Sequence, residues 1–112
     1  MEKKSFFKFS HPLDENSEFF ENLIDIKHGY VERIVSKAHS SPDGFWYNQE
    51  NDEWVIVLQG DATIQFEEES VELQKGDYIF IPAHKKHRVS YTSSEPECIW
   101  LAIHGKINKN YV

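Results

Sequence analysis

Short strand-like segments dominate the second half of the chain. They span roughly 53–58, 62–66, 70–73, 78–81, 87–92 and 98–104, and turn-forming residues such as Gly60-Asp61 and Ser93-Ser94-Glu95-Pro96 separate them. Successive side chains of a strand point to opposite faces, so the residues of each segment can be assigned to one face or the other. Several short strands at this spacing predict a sandwich or a barrel.

The segment 53–58 is predicted to be a central strand. Val55 and Val57 lie on one of its faces, and the other face carries Trp54, Ile56 and Leu58. Both faces are apolar, so both have to be covered by other parts of the protein. By the same alternation, Glu53 shares a face with Val55 and Val57, and His87 shares a face with Val89 and Tyr91.

The first half of the chain predicts a different mixture of elements. Apolar residues recur at helical spacing over about 14–24 and predict one short amphipathic helix; they are Phe19, Phe20, Leu23 and Ile24. Asp14, Asn16 or Ser17 is available to cap its N-terminus. Residues 30–36 predict a strand. Residues 1–12 predict an extended arm that packs across the domain or against a second copy. Residues 105–112 predict a loose tail or an exchanged edge strand.

Size and charge narrow the functional classes. A chain of 112 residues suits one domain over 1–112. Its net charge of −7 and its scattered lysines argue against nucleic acid or an anionic membrane as a partner. No apolar run is long enough for a membrane helix. The single cysteine, Cys98, forms no internal disulfide and is expected to be a buried thiol, and the N-terminus lacks the pattern of a secretory signal; both favour the cytoplasm.

A carboxylate among aliphatic neighbours is costly to bury. If the face that carries Val55 and Val57 is the inside of the barrel, Glu53 needs a positive or hydrogen-bonding partner there. A divalent metal ion would be such a partner. The alternatives are that Glu53 caps the entrance of its strand, or that it forms an ion pair with Arg88 or Lys37.

Two segments of the chain resemble the paired motifs of the cupin family. Glu53 and Gly60 keep the spacing of the end of the first motif, and Gly76, Pro82 and His87 match the second. The sequence departs from the pattern at three positions: Tyr47 and Gln49 stand where the family has two histidines, and His84 stands where it has a glycine. The resemblance implies an all-β, cupin-type double-stranded β-helix (a jelly-roll barrel), to which the periodicity above adds the short N-terminal helix.

The resemblance also implies a site inside the barrel. Gln49, Glu53 and His87 are the predicted ligands of a divalent metal ion, which would be iron, manganese, nickel or zinc. Tyr47, Tyr91 and His84 are the predicted proton-handling residues. His104 shares a face with Trp100 and is a further candidate for the same lumen. Two more alternatives stay open: Gln49 as a hydrogen-bonding loop residue, and Arg33 as either an inward anion anchor or a surface residue.

Two functions fit these expectations. The first is a metal-dependent cupin enzyme that acts on a small polar organic molecule by oxygenase, isomerase or lyase type chemistry. The second is a non-catalytic barrel that binds or senses a small molecule or a metal. A packed lumen with a purely structural role comes third. A homodimer is expected in either case, because an open barrel of this size has strand edges to protect.

Overall fold

The computed structural model describes residues 1–10 and 13–108, and these residues form strands and loops with no helix. The strands are β1 (Ser17–Ile26), β2 (Gly29–Lys37), β3 (Asp52–Gln59), β4 (Ala62–Phe66), β5 (Ser70–Leu73), β6 (Tyr78–Ile81), β7 (His87–Thr92) and β8 (Cys98–Gly105). A larger antiparallel sheet has the order β1-β2-β8-β3-β6, and a smaller one has the order β5-β4-β7. The all-β prediction is confirmed.

The core lies between the two sheets. The larger sheet contributes Ile34, Val55, Val57, Ile81, Cys98, Trp100 and Ala102, and the smaller one contributes Ala62, Ile64, Phe66, Leu73 and Val89. β3 lies between β8 and β6, as its two apolar faces predict. The packed side chains fix the distance between the sheets, and the same inner faces carry the polar residues of the site.

The predicted N-terminal helix is wrong, because the residues concerned form the edge strand β1. Phe19 and Phe20 pair with Val35 and Ile34 of β2, and a bulge follows between Asn22 and Ile24. A bulge inserts one extra residue and so shifts the alternation of faces. The apolar residues of β1 lie at positions 19, 20, 23, 24 and 26, a spacing that imitates that of a helix. The backbone N–H and C=O groups of β1 form hydrogen bonds with β2, whereas in a helix they would bond to one another.

The N-terminal arm packs on the outer face of the larger sheet. The Arg33 guanidinium donates to the Phe6 carbonyl oxygen over 2.8 Å and lies over the rings of Phe6 and Phe9, at 5.6 Å and 4.7 Å from their centroids. The arm thus runs across its own domain, as one of the two predicted arrangements has it. His11 and Pro12, predicted to belong to it, lie outside the described residues.

The chain beyond β8 is described only to residue 108. The backbone N–H of Ile107 donates to the Asp52 carboxylate over 3.2 Å. The rest of the predicted tail, residues 109–112, lies outside the described residues. No helix in the described part of the chain is long and apolar enough to cross a membrane.

A glycine closes the turn after β3. Gly60 has a φ of +76°, which a residue with a side chain adopts at a cost. A Cβ atom at this position would collide with the Ser93 side chain and would lie 3.0 Å from the Cα of Cys98. Gly60 therefore lets β3 turn tightly beneath the start of β8 and lead into β4 of the smaller sheet.

Candidate functional site

The register of the larger sheet places a row of four side chains across its inner face. Glu53 of β3 is opposite His104 of β8 on one side and Ile81 of β6 on the other, and Tyr30 of β2 is opposite His104. Directly opposite residues of antiparallel strands have their side chains on the same face. Glu32, two residues along β2 from Tyr30, is therefore a diagonal neighbour of His104.

The facing wall comes from β7 and the loop before β3. His87 is opposite Phe66 of β4, on the inner face of the smaller sheet. Tyr47 and His87 exchange two backbone hydrogen bonds, of 2.7 Å and 3.2 Å. Their rings stack with centroids 5.3 Å apart. The loop that carries Tyr47 is thus fixed to the strand that carries His87.

A cavity of about 180 Å³ lies between these walls. Its polar lining residues are Glu18, Glu32, Gln49, Glu53, His87, His104 and the two tyrosines, Tyr30 and Tyr47. Its apolar lining residues are Phe20, Ile34, Val55, Ile64, Ile81, Val89 and Trp100. An apolar pocket with a few convergent polar groups is the usual form of a small-molecule site, and this one is smaller than the range of about 300–1,000 Å³ that is common for such sites.

Glu53 lies between two imidazoles at the bottom of the cavity. Its carboxylate oxygens are 3.8 Å from His87 Nε2 and 3.9 Å from His104 Nε2, and all three side chains are less than a tenth exposed. Both distances exceed a hydrogen bond. Burial raises the pKa of Glu53, the charge of His104 acts against this, and the charge of Glu32 adds to it.

Hydrogen bonding orients the ring of His87. Its Nδ1 is 2.9 Å from the Lys85 carbonyl oxygen, and because a carbonyl only accepts, Nδ1 carries the proton. Nε2, which faces Glu53, is then left with its lone pair. Burial lowers the pKa of His87, the bond to Lys85 opposes that effect, and the charge of His104 adds to it. A neutral imidazole with its lone pair turned inward is suited to bind a cation.

The ring of His104 makes two contacts in the cavity wall. Its Nε2 is 2.9 Å from a Glu32 oxygen, and its ring stacks on Tyr30 with centroids 4.6 Å apart. Burial acts to lower the pKa of His104, but the hydrogen bond to Glu32 and the charges of Glu53 and Glu32 outweigh it, so the pKa is raised. The sequence makes His104 a further candidate for the lumen, and in the structure it lines the cavity.

Three of the predicted site residues besides His87 also line the cavity: Tyr47, Gln49 and Glu53. The backbone carbonyl of Gln49 accepts from the His84 N–H over 2.8 Å. The alternative ion pairs of Glu53 do not form. Arg88 instead donates to Gln65 and to the Ser41 carbonyl, and Lys37 is paired with Glu15.

Tyr91 lies outside the cavity, although strict alternation predicts that it shares the inner face of His87 and Val89. Thr63 is opposite Tyr91, whereas the next residue, Ile64, is opposite Val89, so Ser90 is an extra residue in β7. This bulge reverses the alternation after Val89. Tyr91 is 48% exposed, and its hydroxyl lies 3.3 Å from the Asp61 carboxylate.

His84 is also outside the cavity. It is exposed, and its Nδ1 lies 2.9 Å from the Asn48 side-chain oxygen. Its φ of +64° is the left-handed conformation that a glycine adopts without strain. The turn thus keeps the backbone shape that a glycine would give, with a histidine in its place. The structure does not bring His84 or Tyr91 to Glu53.

Sequence reasoning missed Glu18 and Glu32, and it left the direction of Arg33 open. Glu32 could have been found, because alternation along β2 places it on the face of Ile34, which is in the core. The same alternation sends Arg33 to the outer face, where it pairs with Glu21. Glu18 could not have been found while β1 was taken for a helix. His39 is half-buried and pairs with Glu18.

The donor atoms of the cavity fit a divalent ion, although they do not yet surround a common point. Carboxylate and imidazole are the ligands that iron, manganese, nickel and zinc accept. Two ligands of one ion, each about 2.1 Å from it, lie no more than about 4.2 Å apart, and both Glu53–imidazole distances meet that limit. Over residues 1–10 and 13–108, no group of three His, Cys, Asp or Glu side chains already converges on an ion position.

The strand order and the cavity between the sheets define a small barrel of antiparallel sheets with an inward-facing polar site. A sequence model described as "Cupin domain" matches residues 31–104. This match covers more than half of the chain, so the chain belongs to the cupin family. The predicted family is confirmed.

Solved structures agree with this assignment. A protein from Ralstonia eutropha JMP134, described as "a putative mannose-6-phosphate isomerase", is 35% identical over 96% of this chain and 100% of its own, with a TM-score of 0.86. A cupin superfamily protein from Desulfitobacterium hafniense DCB-2 has 19% identity over 94% of this chain and 99% of its own, with a TM-score of 0.70. The polyketide cyclase RemF from Streptomyces resistomycificus has 20% identity over 82% and 67%, with a TM-score of 0.66. No curated protein matches the chain.

Proposed function

We propose that this protein binds a divalent metal ion in the barrel lumen and acts on a small polar organic molecule there. The observation that carries the proposal is the buried Glu53 carboxylate between the Nε2 atoms of His87 and His104. Such a carboxylate is costly to bury without a cation. Gln49, Glu53 and His87 are the ligands expected from the sequence, and iron, manganese, nickel or zinc suits them.

A divalent ion bound at these residues would polarise a substrate oxygen as a Lewis acid. The chain would hold and orient the substrate beside it. Tyr47 faces the cavity and stacks on His87. Burial, together with the charges of Glu18, Glu53 and Glu32, raises the pKa of Tyr47 to about 12. Its hydroxyl is thus protonated at neutral pH, and its proposed role is to donate a hydrogen bond to a substrate oxygen.

The charge of the cavity favours a substrate without phosphate. Three glutamates line it, and within the described part of the chain its lining includes no lysine or arginine. Phosphate groups are ordinarily bound by arginine, lysine or backbone N–H groups. We therefore do not propose a sugar phosphate, the substrate in the name of the Ralstonia relative, as the substrate of this chain.

Competition between mannose and mannose 6-phosphate tests this part of the proposal. We expect mannose 6-phosphate to bind more weakly than mannose, and tighter binding of the phosphate would exclude it.

A specific observation favours the second function, a binding or sensing barrel without turnover. Of the three predicted proton-handling residues, His84 and Tyr91 lie on the outside of the barrel, and only Tyr47 reaches the cavity. General acid–base catalysis needs a group within hydrogen-bond reach of the reacting proton. Ligand binding without turnover by the metal-loaded protein would support this second function.

The metal content of the untagged protein tests the proposal. We expect near-stoichiometric iron, manganese, nickel or zinc by plasma mass spectrometry, and loss of the metal in Glu53→Ala and His87→Ala. Glu72→Ala, an exposed change on β5, is the matched control and should keep the metal. Wild-type protein that takes up none of the four metals after reconstitution would leave a metal-free binding barrel as the better account.

Three further expectations belong to this proposal. The chain acts as one domain over residues 1–112. It works in the cytoplasm, where its free, buried Cys98 stays reduced. It forms a homodimer, which the exposed apolar side chains of the edge strand β1 support.

A further inference from the structure

The first cupin motif of this chain lacks both histidines, yet its cavity contains a second imidazole and a second carboxylate. We propose that His104 and Glu32 take over as metal ligands, so that the ligand set is Glu32, Glu53, His87 and His104. Gln49 and Tyr47, at the positions of the lost histidines, are then cavity residues and not ligands. This inference rests on the proposed function, because it concerns which residues hold the ion.

The backbone supports this relocation. His104 and Glu53 are directly opposite in the ladder between β3 and β8, and Glu32 is diagonal to His104 across β2 and β8. Opposite and diagonal side chains on one sheet face are within reach of each other. Two neighbouring strands therefore supply the donors that the loop before β3 no longer supplies.

One atom of His104 faces both carboxylates. Its Nε2 lies 2.9 Å from Glu32 and 3.9 Å from Glu53. A nitrogen between two carboxylate oxygens either carries a proton or donates its lone pair to a cation. Glu32 and Glu53 bring two negative charges into a buried space. A protonated imidazole offsets one of these charges, whereas a divalent ion offsets both.

Tyr47 and Gln49 are poorer donors than the groups they face. A neutral amide oxygen is a weak ligand beside imidazole or carboxylate, and a phenol has to lose its proton to bind a metal tightly. The ring of Tyr47 lies nearly parallel to that of His87, with an interplanar angle of 24°. Tyr47 therefore supports the His87 imidazole through its ring and is not counted among the ligands.

In the proposed set, rotations of the side chains bring the four donors together around the ion. His87 Nε2 already faces Glu53 at 3.8 Å because its Nδ1 is held by the Lys85 carbonyl. The Glu32 carboxylate can move from the His104 nitrogen to an ion placed between them. The four side chains come from β2, β3, β7 and β8, whose hydrogen-bonded ladders stay unchanged in this step.

Calorimetric titration of chelator-stripped protein with Zn²⁺ and with Mn²⁺ tests the ligand set. We expect His104→Gln and Glu32→Gln to weaken binding by about 10- to 100-fold or more, comparably with His87→Gln. Gln49→Ala and Tyr47→Phe should stay within about threefold of wild type if their side chains are not ligands. Glu72→Gln, an exposed change on β5, is the control. Wild-type affinity in His104→Gln and Glu32→Gln together with loss in Gln49→Ala would assign the ligands to the first motif and overturn the inference.

A measurement on the wild-type chain covers the case in which a variant fails to fold. In protein with ¹⁵N-labelled histidine, Zn²⁺ should shift the Nε2 resonances of both His87 and His104. A shift of His87 alone would overturn the inference and leave the proposed function standing. No uptake of any of the four candidate metals by the wild-type protein would instead overturn the proposed function, and the inference with it.

Discussion

Glu18 is the acidic residue of the cavity that lies outside the proposed metal set. Ser36 donates to its carboxylate over 3.0 Å, and His39 Nε2 lies 3.2 Å from it. Ser36 in turn accepts from the Trp100 indole N–H over 3.2 Å. Burial raises the pKa of Glu18, His39 and the Ser36 hydrogen bond act against this, and Glu32 adds to it. These contacts hold the carboxylate in place, but they lower its pKa by less than burial raises it.

We therefore expect Glu18→Gln to stabilise the metal-free protein at neutral pH, by about 0.5–1 kcal/mol or roughly 2–6 °C in Tm. A raised pKa in the folded state means that the folded protein binds the proton more tightly than the unfolded chain does. The stability that Glu18 contributes is thus fully present below the unfolded pKa of about 4.3 and is lost as the pH rises through the folded value. The gain from the amide should shrink as the pH falls toward 4.

Thermal unfolding in a chelator, from pH 4 to pH 8, measures this effect. Glu72→Gln replaces an exposed glutamate on β5 and serves as the control, with a Tm close to that of wild type at each pH. A lower Tm for Glu18→Gln at pH 8 would mean that the pairs with His39 and Ser36 stabilise the fold by more than burial costs.

At the scale of a single element, the two faces of β2 make different contacts. Its inner face carries Glu32 and Ile34 toward the cavity, and its outer face carries Arg33 toward the arm. Arg33 is buried although it is charged, since it pairs with Glu21 and lies against the rings of Phe6 and Phe9. A buried guanidinium needs such partners. Arg33 is therefore the contact that fastens the N-terminal arm to the sheet.

We expect Arg33→Met to release the arm and to lower the free energy of unfolding by about 1–3 kcal/mol. Methionine fills a similar volume but cannot donate to the Phe6 carbonyl or pair with Glu21. Limited proteolysis should cleave faster within residues 1–10 and leave β8 intact. Lys37→Met, a change at a more exposed position of the same strand, is the control. An arm that stays protected in Arg33→Met would show that its phenylalanines alone hold it.

At the scale of the whole molecule, the larger sheet leaves a long strand at one edge. Among residues 1–10 and 13–108, β1 is paired on one side only, and its apolar residues are exposed, among them Phe20 at 47% and Ile24 at 60%. A long edge strand with apolar side chains is the kind of surface that proteins pair or cover. Phe20 also lines the cavity, so pairing at this edge would reach the site.

Sedimentation analysis tests the expected homodimer. We expect the wild-type chain to be a dimer, and Ile24→Lys to dissociate it by at least tenfold in Kd, because a lysine at a paired edge buries a charge. Tyr78→Lys is the matched control, since Tyr78 is exposed on β6 at the opposite edge of the same sheet. A monomeric wild type would contradict the expectation, and dissociation by Tyr78→Lys alone would assign the interface to the other edge.

The sequence by itself determined the strands from β3 to β8, the family and the inward face of Glu53 and His87. These features follow from alternation and from short turn motifs, which act over a few neighbouring residues. Gly60 and Gly76 belong to those motifs, and both have a positive φ. Local chemistry of this kind can be recognised without knowing what the strands pack against.

Only the tertiary structure decided that residues 17–26 form a strand, that Tyr91 turns outward and that Glu32 and His104 join Glu53. The first depends on a partner strand, because the backbone of β1 is satisfied by β2. The second depends on a bulge at Ser90, which a single extra residue creates. The third depends on the register of β3 and β2 against β8. Each results from pairing between residues far apart in the sequence, and local periodicity carries no information on such pairing.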